Sequence, residues 1–211
     1  MSTTSPSRAA TAALVGGALW ALLPVAWTVA DVDDVEFGTL SHVAVAASYW
    51  IFAVLPPALI VAGLVALRRS LGPDAGRVGT VGLIASMAGL AAMSLGVGIE
   101  VASISFGGGE VPLGHALLLI GFLVHVAGSV LLGIVVIRRR PDGLSRTAGM
   151  LLTFALPLGI GIGALGSALD PNNDAWFWAA ISTPTAIAWV LLGASLRSVR
   201  RPVEAGFATA S

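Results

Sequence analysis

His125 and Glu100 are the ionisable side chains that the sequence places deepest in apolar surroundings. His125 lies 15 residues before Arg140, so it is roughly 22 Å from the end of its apolar stretch if that stretch is helical. Glu100 follows Arg77 by 23 residues and lies near the far end of another stretch. Ionisable residues in such stretches are candidates for binding or proton chemistry. The structural alternatives are a neutral imidazole bonded to a neighbouring helix and a carboxylate that extends into water.

His42 and His115 are the other two histidines, and they end the similar segments Leu40-Ser41-His42 and Leu113-Gly114-His115. Two imidazoles from two helices are a ligand pair that haem iron accepts, and His125 with either of them gives the same pair. Imidazoles and carboxylates together also suit a divalent metal, the carboxylates concerned being Asp31, Glu100 and Asp170. Because the chain has only three histidines and no cysteine, we predict no cofactor and keep haem or a divalent metal as an alternative.

Residues 161–166 read Gly-Ile-Gly-Ala-Leu-Gly and match the dinucleotide-binding pattern G-x-G-x-x-G. This segment lies inside an apolar stretch with no preceding strand, so we interpret its glycines as helix-packing positions. The sequence contains no Walker loop, no H-E-x-x-H motif and no nucleophile elbow. Without cysteine or lysine, thiolate and Schiff-base chemistry are excluded as well. No catalytic residue is predicted, and an enzyme is not favoured.

The composition is that of a protein embedded in lipid. The 211 residues are 56% hydrophobic and 10% charged, with a mean hydropathy of +0.93. Soluble domains carry about 25% charged residues, so this chain has too few ionic groups to cover a surface in water. A soluble enzyme, a nucleic-acid-binding protein and a disordered regulator are therefore excluded.

Six apolar stretches are long enough to cross about 30 Å of hydrocarbon as helices. Each must be helical because lipid offers no hydrogen bonds to an open backbone, and strand-length alternation is absent. The predicted spans are Ala9–Ala30, Val43–Leu67, Val78–Ile99, Leu113–Ile137, Ala148–Leu169 and Ala175–Leu196. The connections are short, so we predict an all-α membrane protein in which residues 1–211 form one integral membrane domain with no soluble domain.

Arginines and carboxylates lie at opposite ends of these spans, which we call the arginine end and the acidic end. The arginine end carries Arg8, Arg68, Arg69, Arg77, Arg138, Arg139, Arg140, Arg146, Arg197, Arg200 and Arg201. The acidic end carries Asp31, Asp33, Asp34, Glu36, Glu100, Glu110, Asp170 and Asp174. Since positive residues stay in the cytoplasm, both termini are predicted there. The use of arginine without lysine is typical of a G+C-rich prokaryote, so we expect a multi-pass protein of its plasma (inner) membrane.

The spans also show an internal repeat. Arg8, Arg77 and Arg146 each open a span and are separated by 69 residues. We predict three tandem helical hairpins, residues 8–69, 77–140 and 146–201, in a pseudo-threefold bundle; such parallel repeats occur in transporters. The alternative is that any six-helix protein with short loops shows similar spacing.

Small residues and prolines predict how the helices pack and bend. Small residues at every fourth position favour close helix packing on span three (Ala88, Ala92, Gly96) and span five (Ala155, Gly159, Gly163, Ser167), which we expect to be interior helices. Prolines predict kinks in spans one (Pro24), two (Pro56, Pro57), five (Pro157) and six (Pro184). Trp20 and Trp189 are expected to pack between helices.

These observations favour a small permease, a channel-like protein or a ligand-binding membrane protein with a polar site in the outer half of the bundle. The candidate ligand- or ion-binding residues are Glu100, His125, Asp31 and Asp170. One alternative is an accessory or structural membrane subunit that docks a partner protein. A second is a b-type haem or metal-binding redox protein that uses His42, His115 and His125. The expected partners are the lipid bilayer and another membrane protein or a second copy of the chain, with no nucleic acid.

Overall fold

The protein is an all-α membrane-type protein. The computed structural model describes residues 6–29, 35–173 and 175–198, which contain helices and turns and no β-strand. Five helical segments are long and apolar enough to span a membrane: Arg8–Trp27, Leu40–Leu71, Gly76–Ser105, Pro112–Arg139 and Ala175–Ser198. A bent pair, Gly143–Thr153 with Ala155–Leu169, makes a sixth if it is one span. The count of six spans stays a prediction.

Nine α-helices follow one another along the described chain. They are α1 (Pro6–Ala21), α2 (Leu23–Val29), α3 (Leu40–Tyr49), α4 (Leu55–Leu71), α5 (Gly76–Ser105), α6 (Pro112–Arg139), α7 (Gly143–Thr153), α8 (Ala155–Leu169) and α9 (Ala175–Ser198). A π-helical turn, Trp50–Val54, joins α3 to α4, and a 3₁₀ turn, Gly72–Ala75, joins α4 to α5. Helix α5 continues six residues past the predicted boundary at Ile99, so Glu100 lies on the helix itself.

The prolines account for the breaks in these helices. Pro157 has no N–H to bond the carbonyl of Thr153, and the chain bends by 68° between α7 and α8. The fifth predicted span is therefore a bent pair and not one straight helix. Pro24 lies in the first turn of α2, just after α1 ends at Ala21. In α9, by contrast, the helix runs unbroken through Pro184.

The double proline of the second span lies at the start of α4, directly after the π-helical turn. There the N–H of Leu55 bonds the carbonyl of Trp50, one residue further back than in an α-helix. The hydroxyl of Ser94 on α5 donates to the carbonyl of Val54 at 3.0 Å. A side chain from the neighbouring helix thus binds the backbone where the regular bonding pattern is interrupted.

The helices pack in a closed cycle. Helix α1 contacts α4, α4 contacts α5, α5 contacts α6, α6 contacts α7, α7 contacts α9, and α9 returns to α1. Helix α8 lies outside this cycle and packs mainly on α9. Three tandem hairpins around one axis would give this order, although the equivalence of the three units stays a prediction.

Glycines bring α5 and α6 together most closely. The two helices face each other through glycines spaced seven residues apart: Gly82, Gly89 and Gly96 on α5, and Gly128, Gly121 and Gly114 on α6. A Cβ added at Gly89 would lie only 2.4 Å from the backbone N of His125, and one added at Gly121 only 2.6 Å from the backbone N of Met93. We call these six residues the glycine ladder.

The small-residue ridges predicted from four-residue spacing are only partly correct. On α5, Gly96 is buried but Ala88 is exposed, because a four-residue step turns about 40° past a full turn whereas a seven-residue step stops about 20° short of two. On α8, Gly159 is buried against α9, but Ser167 is exposed. The expectation that span five is an interior helix is thus wrong for α8, which diverges outward after the bend.

The core of the bundle contains the two tryptophans that the sequence placed there. Trp20 is 2% exposed and Trp189 is fully buried, which confirms that expectation. His125 is also fully buried, with its ring centroid 6.1 Å from that of Trp20 and its Nε2 atom 3.4 Å from the hydroxyl of Ser129.

At the arginine end, one cluster of polar side chains connects the ends of three helices by hydrogen bonds. Arg140 donates to the hydroxyls of Ser70, Ser145 and Ser195, which belong to α4, α7 and α9. Asp142 caps α7 by accepting from the N–H of Ser145 at 2.8 Å, and it accepts from the hydroxyl of Ser195 at 3.0 Å. Arg200 and Arg201 lie outside the described residues.

Candidate functional site

A cavity of about 440 Å³ opens at the acidic end of the bundle. Helices α2, α3, α5, α6 and α9 and the loop between α5 and α6 contribute to its walls. Among the described residues, two histidines and two glutamates line it: His42, His115, Glu100 and Glu110. Six aromatic residues line it as well: Trp27, Phe37, Tyr49, Phe122, Phe177 and Trp178. We call this space the acidic-end cavity.

His42 is held in the first turn of α3. Thr39 caps that helix, and its hydroxyl accepts the backbone N–H of His42 at 3.2 Å. The Nε2–H of His42 donates to the carbonyl of Ile104 at 3.1 Å. Because a carbonyl oxygen only accepts, this bond places a proton on Nε2. The ring of Phe37 contacts the imidazole edge-on at 5.0 Å, and His42 is 5% exposed.

The end of α5 supplies the acceptor for His42. Gly107 has φ +76°, and its N–H bonds the carbonyl of Ile104 at 3.0 Å, while the N–H of Gly108 bonds that of Ser103 at 2.9 Å. This is the Schellman pattern, which needs a residue in the left-handed region and so favours glycine there. Ile104 thereby presents its carbonyl both to the loop and to α3.

Glu100 lies between α5 and the start of α6. Its Oε2 atom accepts the N–H of Val111 at 3.1 Å. This bond satisfies a backbone donor at a helix N-terminus, where the helix dipole favours a negative charge. The Oε1 atom is buried and has no hydrogen-bond partner among the described residues. A Cβ added at Gly114 would lie 3.0 Å from Oε1, so glycine at that position makes room for the carboxylate.

His115 and Glu110 form part of the mouth of the cavity. Both are exposed, in contrast to His42 on the opposite helix. His115 lies in the first turn of α6, where its backbone N–H bonds the carbonyl of Val111 at 3.0 Å. The two matching histidine segments of the sequence therefore contribute one buried and one exposed imidazole to the same cavity.

Aromatic rings from α2, α3 and α9 pack against one another and line the cavity. The ring centroid of Trp27 lies 4.7 Å from that of Tyr49 and 4.4 Å from that of Trp178. Phe177 meets Trp178 edge-on at 5.5 Å. We call Trp27, Tyr49, Phe177 and Trp178 the aromatic wall. Aromatic faces carry negative charge density and attract cations.

The other predicted site residues are placed elsewhere. His125 lies in the core and does not line the cavity. Asp170 is exposed after the end of α8 and does not line it either. Asp31 lies outside the described residues. In the turn that follows Asp170, the side chain of Asn173 accepts the N–H of Ala175, the first residue of α9, at 3.0 Å.

The donor atoms of the cavity do not form a metal-binding set. Among the residues that the structure describes, no three His, Asp or Glu side chains lie close enough together to hold a metal ion. The Nε2 atom of His42 donates to Ile104 and so offers no lone pair to iron in this arrangement. The pairing of His125 with His42 or His115 is also not formed, because His125 is buried away from the cavity that those two line.

Sequence reasoning found Glu100, His42 and His115 but missed Glu110 and the aromatic wall. Trp27, Tyr49 and Trp178 belong to three separate predicted spans, and nothing in their spacing indicated mutual contact. The chain matches no protein-family model, no curated protein and no solved structure. The geometry of the site therefore carries the functional argument alone.

Proposed function

We propose that this protein binds a small molecule in the acidic-end cavity and serves as a permease or ligand-binding membrane protein. The observation that carries the proposal is that Glu100, His42 and His115, from three separate segments, line one cavity together with the aromatic wall. Binding sites for small molecules are typically concave, mostly apolar and about 300–1,000 Å³ in volume, with few polar groups that fix orientation. This cavity has those properties.

The breaks in the helices support a role that involves opening and closing. Trp27 belongs to the short helix α2, which follows the break at Leu22, and Tyr49 immediately precedes the π-helical turn. Broken helices beside a midplane or interfacial site are common in transporters, where they move around the substrate. By the arginine distribution, the cavity would face the outside of the cell.

Ligand-induced stabilisation of the purified full-length protein tests this proposal. We would measure Tm in dodecyl maltoside with a panel of amino acids, sugars, carboxylates, nucleosides and organic amines. A compound that binds only the folded state at 100 times its Kd adds about 2.7 kcal/mol of stability, which raises Tm by several degrees.

Two matched variants assign any stabilisation to the cavity. Ala53 is buried and lines the cavity, whereas Ala91 is exposed on α5 and does not. Ala53→Leu should abolish the response and Ala91→Leu should preserve it. A panel without any stabilising compound, or an equal response in both variants, contradicts the proposal and favours the accessory-subunit alternative.

A further inference from the structure

We infer that the ligand of the acidic-end cavity is a single-chain amphiphile with an ammonium head, and that its apolar chain lies in a groove between α6, α8 and α9. This inference rests on the proposed function and specifies the ligand class for the same cavity. The observations that carry it are the groove, its position beside the cavity, and the charges at the acidic end.

The groove has a volume of about 260 Å³ and an almost wholly apolar lining. Its walls are formed by α6, α8 and α9, with Ser167 and Thr185 as the two hydroxyl-bearing residues among those that line it. It exists because the 68° bend after α7 directs α8 away from α6 while α8 stays packed on α9. A single alkyl chain matches such a narrow apolar space.

The groove and the acidic-end cavity are adjacent. Phe122, Phe177 and Ile181 line both spaces, so the two share part of their walls. The flank of the groove on α8 is exposed at Leu156 and Ile160, on the face that would meet lipid. A molecule with its chain in the groove and its head in the cavity would therefore enter sideways from the bilayer.

The charged residues of the cavity favour a positively charged head group on the bound amphiphile. Glu100 and Glu110 line it, and no arginine is among the described residues that do so; the chain has no lysine. The buried Oε1 atom of Glu100 has no partner among the described residues, and the Nε2–H of His42 is occupied by Ile104. An ammonium group would gain the carboxylate of Glu100 and contact with the aromatic residues that line the cavity, and aromatic rings are known to recognise quaternary ammonium ligands. An anionic head would be repelled by both carboxylates, although the exposed ring of His115 could donate one hydrogen bond to it.

Three probes separate the contributions of head and chain. We would titrate octyltrimethylammonium, tetramethylammonium and octyl sulfonate into the full-length protein in dodecyl maltoside and follow tryptophan fluorescence. Octyltrimethylammonium should bind saturably, at least tenfold more tightly than either of the other two. Equal affinity for tetramethylammonium would overturn the assignment of the groove, and equal affinity for octyl sulfonate would overturn the assignment of the head.

Matched variants remove the effect of probe partitioning into micelles, since that partitioning is the same for every variant. Glu100→Gln should raise the Kd of octyltrimethylammonium at least tenfold, whereas Glu36→Gln, at the same end but outside the cavity lining, should change it less than twofold. Ser167→Phe fills the groove and should weaken octyltrimethylammonium at least fivefold without affecting tetramethylammonium. Gly161→Phe, on α8 but outside the groove lining, should change neither.

The outcomes distinguish this inference from the proposed function. If neither ammonium probe binds, but another compound of the panel stabilises the protein and Ala53→Leu abolishes that stabilisation, the inference is overturned and the proposed function stands. If Glu100→Gln and Glu36→Gln behave alike, the assignment of the ammonium head to Glu100 is overturned. If no compound of any class binds, the proposed function itself is contradicted.

Discussion

Glu100 shows how one carboxylate serves both the fold and the site. Its Oε2 atom satisfies the N–H of Val111 at the start of α6, while its Oε1 atom is buried without a hydrogen-bond partner among the described residues. A glutamine side chain keeps an acceptor for Val111 but loses the negative charge. The two roles can therefore be separated by the choice of substitution.

We expect Glu100→Gln to keep a Tm close to that of the wild type, because the bond to Val111 survives. Glu100→Ala should lower the unfolding free energy by about 1–3 kcal/mol, because it leaves a partly buried backbone donor unpaired. Thermal unfolding of both variants in the same detergent checks this prediction. Equal destabilisation by the two substitutions would show that the charge, and not the hydrogen bond, stabilises the start of α6.

Asp142 is the titratable residue of the arginine-end cluster for which a pH effect is expected. Partial burial acts to raise its pKa, but hydrogen bonds from the N–H and hydroxyl of Ser145 and the hydroxyl of Ser195, together with the charge of Arg140, lower the pKa below its ordinary value. A carboxyl with a lowered pKa in the folded state stabilises the fold above the unfolded pKa of about 4. That stabilisation is lost as the pH falls through the lower folded pKa.

Asp142→Asn tests this dependence, since asparagine also caps helices but carries no charge. The wild type should be more stable than the variant at pH 7 and at pH 5, by less than about 1 kcal/mol because the carboxylate is largely exposed. The difference should shrink as the pH falls below about 4 and should disappear below the lowered pKa of the folded state. Tm measured across this range decides the matter, and a difference that grows on acidification would contradict the assignment.

Among the elements, α5 and α6 form the most closely packed pair. Each glycine of the ladder faces the backbone of the other helix, and the seven-residue repeat keeps the contact along both helices. Lipid supplies little hydrophobic force between helices, so close backbone approach of this kind is what holds them together. A methyl group in the ladder should force the pair apart.

Gly89→Ala should lower the unfolding free energy by about 1–3 kcal/mol through overpacking. The matched control is Gly161→Ala on α8, where nothing lies within 4 Å of an added Cβ. That control should be neutral or stabilising by up to about 1 kcal/mol, since alanine is the better helix former. Thermal unfolding compares the two, and a neutral Gly89→Ala would show that α5 and α6 do not pack through the ladder.

The broken elements show the limit of reading helices from hydropathy. Pro157 and Pro184 both lie inside predicted spans, yet the chain bends sharply near the first and α9 runs unbroken through the second. In α9, the carbonyl of Ala180, which Pro184 cannot bond, lies against Gly159 of α8, where a Cβ would be 2.4 Å away. The freed carbonyl of Ala180 thus faces the backbone of the neighbouring helix and not lipid.

At the scale of the whole molecule, the separation of arginines from carboxylates fixes the orientation that we predict. Gly143 lies at the arginine end and Gly109 at the acidic end, and both are exposed with nothing within 4 Å of an added Cβ. Because the chain has no cysteine, a single introduced thiol reports its own position. Gly109→Cys should react with a membrane-impermeant maleimide on intact cells, and Gly143→Cys only after the membrane is permeabilised. The reverse labelling would place the cavity on the cytoplasmic side.

The sequence predicted the class of the protein and the positions of the helices along the chain better than it predicted which helices pack together. The lengths of the apolar stretches placed five of the six spans to within several residues. They could do so because the thickness of the hydrocarbon layer and the rise of the helix per residue set how many apolar residues a span needs. Depth along a span can be counted, but the face of the helix on which a residue lies depends on packing. For that reason Glu100, His42 and His115 line the cavity, whereas His125, chosen for its depth, lies in the core. The aromatic wall required contacts between three spans and could not be read from any one of them.

The close packing of the glycine ladder has a consequence for how the protein can move. Helices α5 and α6 carry no proline beyond the first residue of α6 and their backbones lie in close contact, so we expect Glu100 and His115 to keep their relative positions. Trp27 and Tyr49 lie beside helix breaks. A bound molecule would therefore be released when Trp27 and Tyr49 move away from it, while Glu100 stays in place. The helix breaks beside Trp27 and Tyr49 would then set the rate of release.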